Sequence, residues 1–453
     1  MLANPTASQS AASADDQSIQ VLLRKLLPMC KLVASRGGAI AAQFAAQLVV
    51  GTMAGASGLG ILQLYTSWTC IAGEILGMGL PTRAMRLISV AYAEQQGDVI
   101  RQLLRDARRK IVRLWLILAT LAVVPFALLM STGTAPDWTQ YGWLLMGATL
   151  TAPLFALLRL YAESLKATGA ALAAVTLESL TSPVALLLVS AFCWFTGQPL
   201  ITITLLVTFS LSLVITPLAL RSRLSFKLSK LAPTTASLST SVVPRLTAPR
   251  AELLSLWGIG VLSIGFLNLP FIVLPIYADA AQIGVFSVAH KLVNVVTTLL
   301  LLLAAVFGPV FARQAAKSDA NGLLSLLRRT QLVSIAVFLP VSLTLIVLAN
   351  SLAKLFGEDF GDLRIYIVIL TAGHLINAAT GLAGIMLNMA GAASKELATL
   401  VVATIFALVA SAWVGPEFGA IGLAWVFSAS IALKNMASYA LARHHLIKMR
   451  EQL

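Results

Sequence analysis

A chain of 453 residues that is 58% hydrophobic and only 11% charged is too apolar to fold as water-soluble domains, which carry about 25% charged residues. Its 32 Lys and Arg exceed 18 Asp and Glu, for a net charge of +14. In a soluble protein that excess would suggest nucleic acid, but here the bases fill short gaps between apolar runs and no nucleic-acid-binding motif accompanies them, so no nucleic-acid partner is expected.

Residues 1–17 are Ala, Ser and Asp rich without a basic segment leading into an apolar core, which reads as a disordered tail and not as a signal peptide. Residues 18–36, SIQVLLRKLLPMCKLVASR, form a short basic amphipathic stretch suited to the membrane interface. A bilayer core about 30 Å thick needs about 20 mostly apolar residues in a helix. Such runs occur at 37–56, 60–80, 111–130, 142–160, 171–195 and 199–220. After a Ser, Thr, Pro and base-rich linker at 221–250 they resume at 253–276, 283–311, 332–352, 363–389, 397–413 and 419–441. Residues 443–453 are left as a tail.

Twelve crossings place 28 of the 32 bases on one side, from Arg24 through Arg450, whereas the other side carries Lys354 and Arg364 among Asp137, Asp279, Glu358, Asp359, Asp362 and Glu417. The positive-inside rule makes the basic side cytoplasmic and puts both termini there. The three cysteines, Cys30, Cys70 and Cys193, are too scattered for a disulfide framework or a metal site and read as packing residues.

The two halves repeat at a steady offset. Gly60 in GLGILQLY matches Gly284 in QIGVFSVA, Arg108 and Arg109 match Arg328 and Arg329, and Gly169 in SLKATGAA matches Gly391 in MLNMAGAA, at offsets of 224, 220 and 222. An even number of spans per repeat makes the repeats run in the same sense. The expected fold is an all-α integral membrane protein: an N-terminal bundle at 18–220 and a C-terminal bundle at 251–442, six helices each, related by a pseudo-twofold axis along the membrane normal around a central cavity.

Ionisable and amide groups inside the spans are the candidates for function, because each costs several kcal/mol unless it meets a partner or a watery cavity. Lys291 lies roughly 12 Å into the eighth span, with His290 beside it and Asn294 three positions on, sharing its face; as a cavity cation it would hold an anionic substrate group, and as a packing residue it would pair with a carboxylate such as Glu74 or reach the headgroups. Gln43 and Gln47 are one turn apart on the first span and suit a shared cavity wall. Arg83 and Arg159 stand at the cytoplasmic ends of the second and fourth spans, where topology alone would place bases and where an entering diphosphate headgroup would meet them. Glu74, Glu178 and His374 are buried titratable groups that could couple transport to an ion or serve as interhelical anchors; His374 and Asn377 share a face. Asn268 and Pro270 interrupt the seventh span and predict a kink. No GxxxxGK[ST] loop is present and the longest outer loop, 351–362, is short, so neither a cofactor nor enzymatic activity is expected.

The run GLGILQLYTSWTCIAGEILGMGLPTRAMRLIS, with its G-L-P-T-x-x-x-R ending, resembles the second helix of polysaccharide exporters, and QIGVFSVAHKLVNVVTTLLLLLAAVFGPVFARQ is similar to their eighth, including Pro309 before Arg313. With the repeat and twelve spans, the likeness covers nearly the whole chain and is to the Wzx-type polysaccharide flippases of the multidrug/oligosaccharidyl-lipid/polysaccharide exporter superfamily. The resemblance implies movement of an undecaprenyl-diphosphate-linked oligosaccharide, the repeat unit of an exopolysaccharide, capsule or O-antigen lipopolysaccharide, from the inner to the outer leaflet of a bacterial inner membrane. It also implies a cationic cavity, which Lys291, Arg83 and Arg159 could serve, drive by a proton or sodium gradient, and delivery to polymerase and export machinery. The alternative within the superfamily is a multidrug cation antiporter, which should show cavity carboxylates without a competing lysine.

Overall fold

A computed structural model describes residues 6–131, 141–231 and 250–451. Its backbone is helical almost throughout, as a bilayer demands of apolar segments that have no water to satisfy their amides. The elements are α1 (Thr6–Gly77), α2 (Leu80–Ala93), α3 (Gly97–Ser131), α4 (Gly142–Ala167), α5 (Ala171–Thr196), α6 (Thr202–Leu228), α7 (Arg250–Asn268), α8 (Pro270–Tyr277), α9 (Ala280–Ala316), α10 (Ala320–Phe356), α11 (Leu363–Thr380), α12 (Ala383–Met389) and α13 (Ala393–Glu451), with a 3-10 turn at Glu358–Phe360. Gly55, at φ 69°, breaks α1 into the first and second spans, and Gly419, at φ 51°, breaks α13 into the eleventh and twelfth. Helices α7 and α8 form one span bent by 44° at Leu269–Pro270, the kink expected there, and α11 with α12 form another, broken at Gly381. Counted this way, the described residues make twelve crossings in two bundles of six, while the amphipathic α2 is too short to cross and lies between the second span and α3.

Several helices outrun their apolar stretches. Helix α3 starts at Gly97 and not near Ile111, α10 spans Ala320–Phe356 against an expected 332–352, and α6 continues to Leu228 into what reads as linker. Lys and Arg are good helix formers, so basic sequence extends a helix beyond the bilayer as readily as apolar sequence continues it. Ala is the strongest helix former, so the helix of α1 begins at Thr6, inside the Ala-rich stretch expected to be structureless, while the bases after 443 let α13 continue to Glu451. Asp137 and linker residues 232–249 lie outside the described residues.

The repeat is visible in the backbone itself. Gly169 and Gly391 both have φ 78°, Gly197 and Gly419 have φ 66° and 51°, and the non-glycine pair Gln95 and Ser318 have φ 60° and 54°. These pairs are separated by 222, 222 and 223 residues and close the same turns in each half. After α4 the amide of Ala170 donates to the carbonyl of Leu165, and after α12 the amide of Ala392 donates to that of Leu387, again 222 apart.

The anchor at Gly60 and Gly284 marks the axis. A methyl group on Gly60 would overlap the carbonyl oxygen of Ala280, and one on Gly284 would overlap that of Ala56. Equivalent residues of two repeats can touch only near the axis that relates them. Two small-xxx-small stripes, Ala56–Gly60 and Ala280–Gly284, therefore cross backbone against backbone where the pseudo-twofold axis meets the less basic face. The same face holds further contacts between the halves: Phe356 fills the space over Gly51, its ring 6.0 Å from Phe44, and the Asp359 carboxylate accepts the amide of Ala56 at 3.4 Å, at the start of the second span. Two indoles also tie the second span to the broken seventh: Trp68 donates to the carbonyl of Phe271 at 2.8 Å and Trp257 donates to that of Ile75 at 3.0 Å.

Enlarging Gly284 to Leu is expected to cost about 1–3 kcal/mol of overpacking in this closed arrangement and to separate the halves on the less basic face. Spin labels on Ser57 and Glu358 should then report a longer distance than in the unsubstituted chain. An unchanged distance distribution would show that the crossing does not hold this face shut.

Candidate functional site

Each half borders a cavity lined by its first, second, fifth and sixth spans, to which the C-terminal half adds its fourth. The cavity of the N-terminal half, about 360 Å³, lies among the first and second spans, α5 and α6, and the C-terminal half contributes Asn268 and Lys291 to its wall. The cavity of the C-terminal half, about 520 Å³, lies among α7, α8, α9, α11, α12 and α13.

Gln43 and Gln47 line the first cavity together, as their one-turn spacing predicts. Across from them the second span presents Gln63, Thr66, Ser67 and Cys70. Gln63 Nε2 donates to Ser67 Oγ at 2.8 Å, and this leaves Gln63 Oε1 and Gln47 Nε2 buried and without hydrogen-bond partners among the described residues. Such a group costs about 1–3 kcal/mol when it is left without a partner. Lys291 lies 11 residues into α9, about 16 Å along its axis, near the middle of a 30 Å hydrocarbon core. At an offset of 224 its counterpart is Ser67, and both face the same cavity. No ion pair to Lys291 occurs among the described residues, so Glu74 is not its partner.

Lys291 and Asn294 share a helical face by spacing, yet they line different cavities. Asn294 hydrogen-bonds the ring of His290 at 3.1–3.2 Å and faces the second cavity with it. His290 is wedged between Phe271 and Phe286, with ring centroids 5.4 and 5.9 Å away, and those aromatics turn it from Lys291. His374 and Asn377 line the second cavity together, and the Thr297 hydroxyl lies 3.0 Å from His374 Nδ1.

Glu178 borders the first cavity but is already bound. Arg159 donates to it at 3.0 Å and Lys166 at 3.2 Å, while both bases also contact Glu163, at 3.3 and 3.0 Å. Two acids and two bases neutralise one another, which leaves Lys291 as the net charge of this cavity and turns Arg159 away from it. Arg83 is buried on α2. Glu74, 9% exposed, sits where the second span meets α7, its carboxylate against Gly260.

Two groups escaped the reading of the sequence. Gln63 completes a stripe with Ser67 and Cys70 at i, i+4 and i+7, a polar face that the spacing alone could have revealed. Lys434, inside the twelfth span, pairs with Glu396, which also accepts the Ser438 hydroxyl at 2.6 Å, and the pair borders the second cavity. A lysine at that depth was the available signal.

Substituting Glu178 with Gln should cost about 1–3 kcal/mol, because two partly buried bases lose a charged partner. Thermal unfolding of the purified protein checks this, and adding Lys166→Gln should recover part of the loss. A double variant no more stable than Glu178→Gln would argue against the network.

No protein-family model matches the chain, and comparison with curated proteins finds no match. Among solved structures it is similar to a multidrug resistance MATE family transporter of the MOP superfamily in an inward-facing conformation, with a TM-score of 0.68 at 15% identity over 91% of this chain and 96% of that one. It is also similar to the lipid II flippase MurJ in an inward closed conformation, with a TM-score of 0.66 at 12% identity over 92% and 89%. Against an outward-facing conformation of a MATE family transporter the TM-score is 0.55, at 15% identity over 91% and 96%. These likenesses establish the fold: a multi-pass membrane protein with the two-bundle architecture of the MATE and MurJ structures.

Proposed function

We propose that this chain is an alternating-access flippase that moves an undecaprenyl-diphosphate-linked oligosaccharide from the cytoplasmic to the outer leaflet of a bacterial inner membrane, supplying repeat units for an exopolysaccharide, capsule or O-antigen. The observation that carries the reading is Lys291, a lysine without an ion pair among the described residues, at mid-membrane depth in a cavity to which both halves contribute. An ammonium there costs several kcal/mol unless an anion or water meets it, and a diphosphate supplies that anion. Gln43, Gln47, Gln63 and Ser67 around it present amides and a hydroxyl of the kind that bond sugar hydroxyls. An organic cation would meet Lys291 with like charge, while Glu178, the one carboxylate lining the cavity among the described residues, is held by Arg159 and Lys166.

The halves are joined on the less basic face, so in this state substrate enters from the basic, cytoplasmic side, and rocking about the pseudo-twofold axis exposes the cavity outward. Glu74, buried at the junction of the second and seventh spans, and His374, in the second cavity, are the groups best placed to bind a coupling proton or sodium ion. The MurJ structure is described as that of a lipid II flippase, and its fold is shared here, which favours a lipid-linked substrate. The product would pass to a membrane polymerase or export complex.

In proteoliposomes carrying lipid-linked glycans, Lys291→Ala is expected to lower flipping at least tenfold under imposed proton or sodium gradients, with unaltered thermal stability. Gln47→Leu should reduce transport less, since it removes one neutral hydrogen bond. Full transport by a folded Lys291→Ala protein would sink the anion-binding role of this residue.

A further inference from the structure

On the basic face, outside both cavities, a cleft of about 240 Å³ opens between α3 and α6 with the buried Tyr161 of α4 in its floor. Arg101, Arg105 and Arg108 enter it from α3 at i, i+4 and i+7, and Arg221 faces them from α6. Arg101 is held by Asp98 at 2.7 Å and by the Leu228 carbonyl at 3.3 Å. Arg105, Arg108 and Arg221 make no ion pair among the described residues. A topological bias needs bases on this face but gives no reason for guanidiniums of two helices to converge on one cleft, where like charges repel.

Both arginine stripes continue into lipid-facing apolar stripes. Along α3 the series 101, 105, 108 runs on to Val112 and Leu116, 39% and 54% exposed. Along α6, Arg221 is followed deeper in the bilayer by Leu218, Val214 and Leu211, which are 57%, 37% and 55% exposed and stand three, seven and ten residues away on the same face. Charge at headgroup depth with two apolar rails beneath it matches the shape of one amphiphile.

We propose that this cleft is a binding site for an anionic phospholipid of the basic-side leaflet, its phosphates held by Arg105, Arg108 and Arg221 and its acyl chains lying along α3 and α6. Guanidinium forks suit phosphate oxygens, and basic pockets between membrane helices are the kind that capture such headgroups. The site does not depend on the substrate assigned to the central cavity. Because α3 and α6 flank the ion-paired α4 and carry the outer wall of the N-terminal bundle, the bound lipid would brace that bundle during rocking.

Native mass spectrometry of the full-length protein, titrated separately with cardiolipin and phosphatidylethanolamine, tests the proposal. The unsubstituted protein should retain cardiolipin at least tenfold more strongly, and Arg105→Gln/Arg108→Gln/Arg221→Gln should lose that preference at least tenfold. The control Arg109→Gln/Lys110→Gln/Arg223→Gln, which removes as much charge from exposed positions of the same helices, should keep it; thermal unfolding confirms that both variants fold. Equal loss in both variants, or no loss in the first, would overturn the site. Complete displacement of the lipid by inorganic pyrophosphate at a concentration matched to the lipid would assign the cleft to a soluble anion and overturn the lipid.

Discussion

The rest of the molecule depends on one steric constraint: two helices from different repeats cross with no side chain between them. Ala56 and Gly60 meet Ala280 and Gly284, and each glycine leaves room for one carbonyl oxygen of the other helix. In a bilayer, where lipid tails are as apolar as leucine, such close packing is a principal source of helix association. The crossing fixes where the pseudo-twofold axis runs and brings the second span beside α9. It thereby places Ser67 and Lys291, seven residues further along each helix, in the same cavity wall. The lysine at the centre is a geometric consequence of the glycines at the face.

The two halves share a scaffold and differ in what they enclose. In the N-terminal cavity two buried amide atoms lack partners among the described residues and the charge of Glu178 is cancelled by its neighbours, so Lys291 contributed from the other half sets the sign. In the C-terminal cavity three pairs of polar groups are partnered with each other: His290 with Asn294, His374 with Thr297, and Glu396 with Lys434. A satisfied network rigidifies the walls around it, whereas an unsatisfied one costs energy until a ligand completes it. On the flippase reading proposed above, this asymmetry makes the first cavity the candidate for holding the cargo.

Closure of the less basic face combines steric, aromatic and electrostatic contacts. The Asp359 carboxylate lies at the amino-terminal end of the second span, where the helix dipole favours negative charge, and Phe356 packs over Gly51. These contacts are made by one short outer connection, and the rocking proposed here would separate them together.

Much of this protein was legible in its sequence because a membrane leaves few choices. Apolar length determined the twelve crossings, and an offset of about 222 residues revealed two parallel bundles. Gln43 and Gln47 were correctly paired by one helical turn, and Pro270 marked its kink. The sequence could not decide between neighbours across helices. Lys291 and Asn294 were expected to share a cavity, but the aromatics around His290 draw Asn294 to the other one. Arg159 looked available until α5 brought Glu178 within 3.0 Å of it. Helical periodicity assigns a residue to a face within its own element, whereas the direction that face points is settled by crossing angles and by which side chains of other helices get there first. The sequence therefore determined the topology and the inventory of buried polar groups, and only the tertiary packing decided which of them stand free.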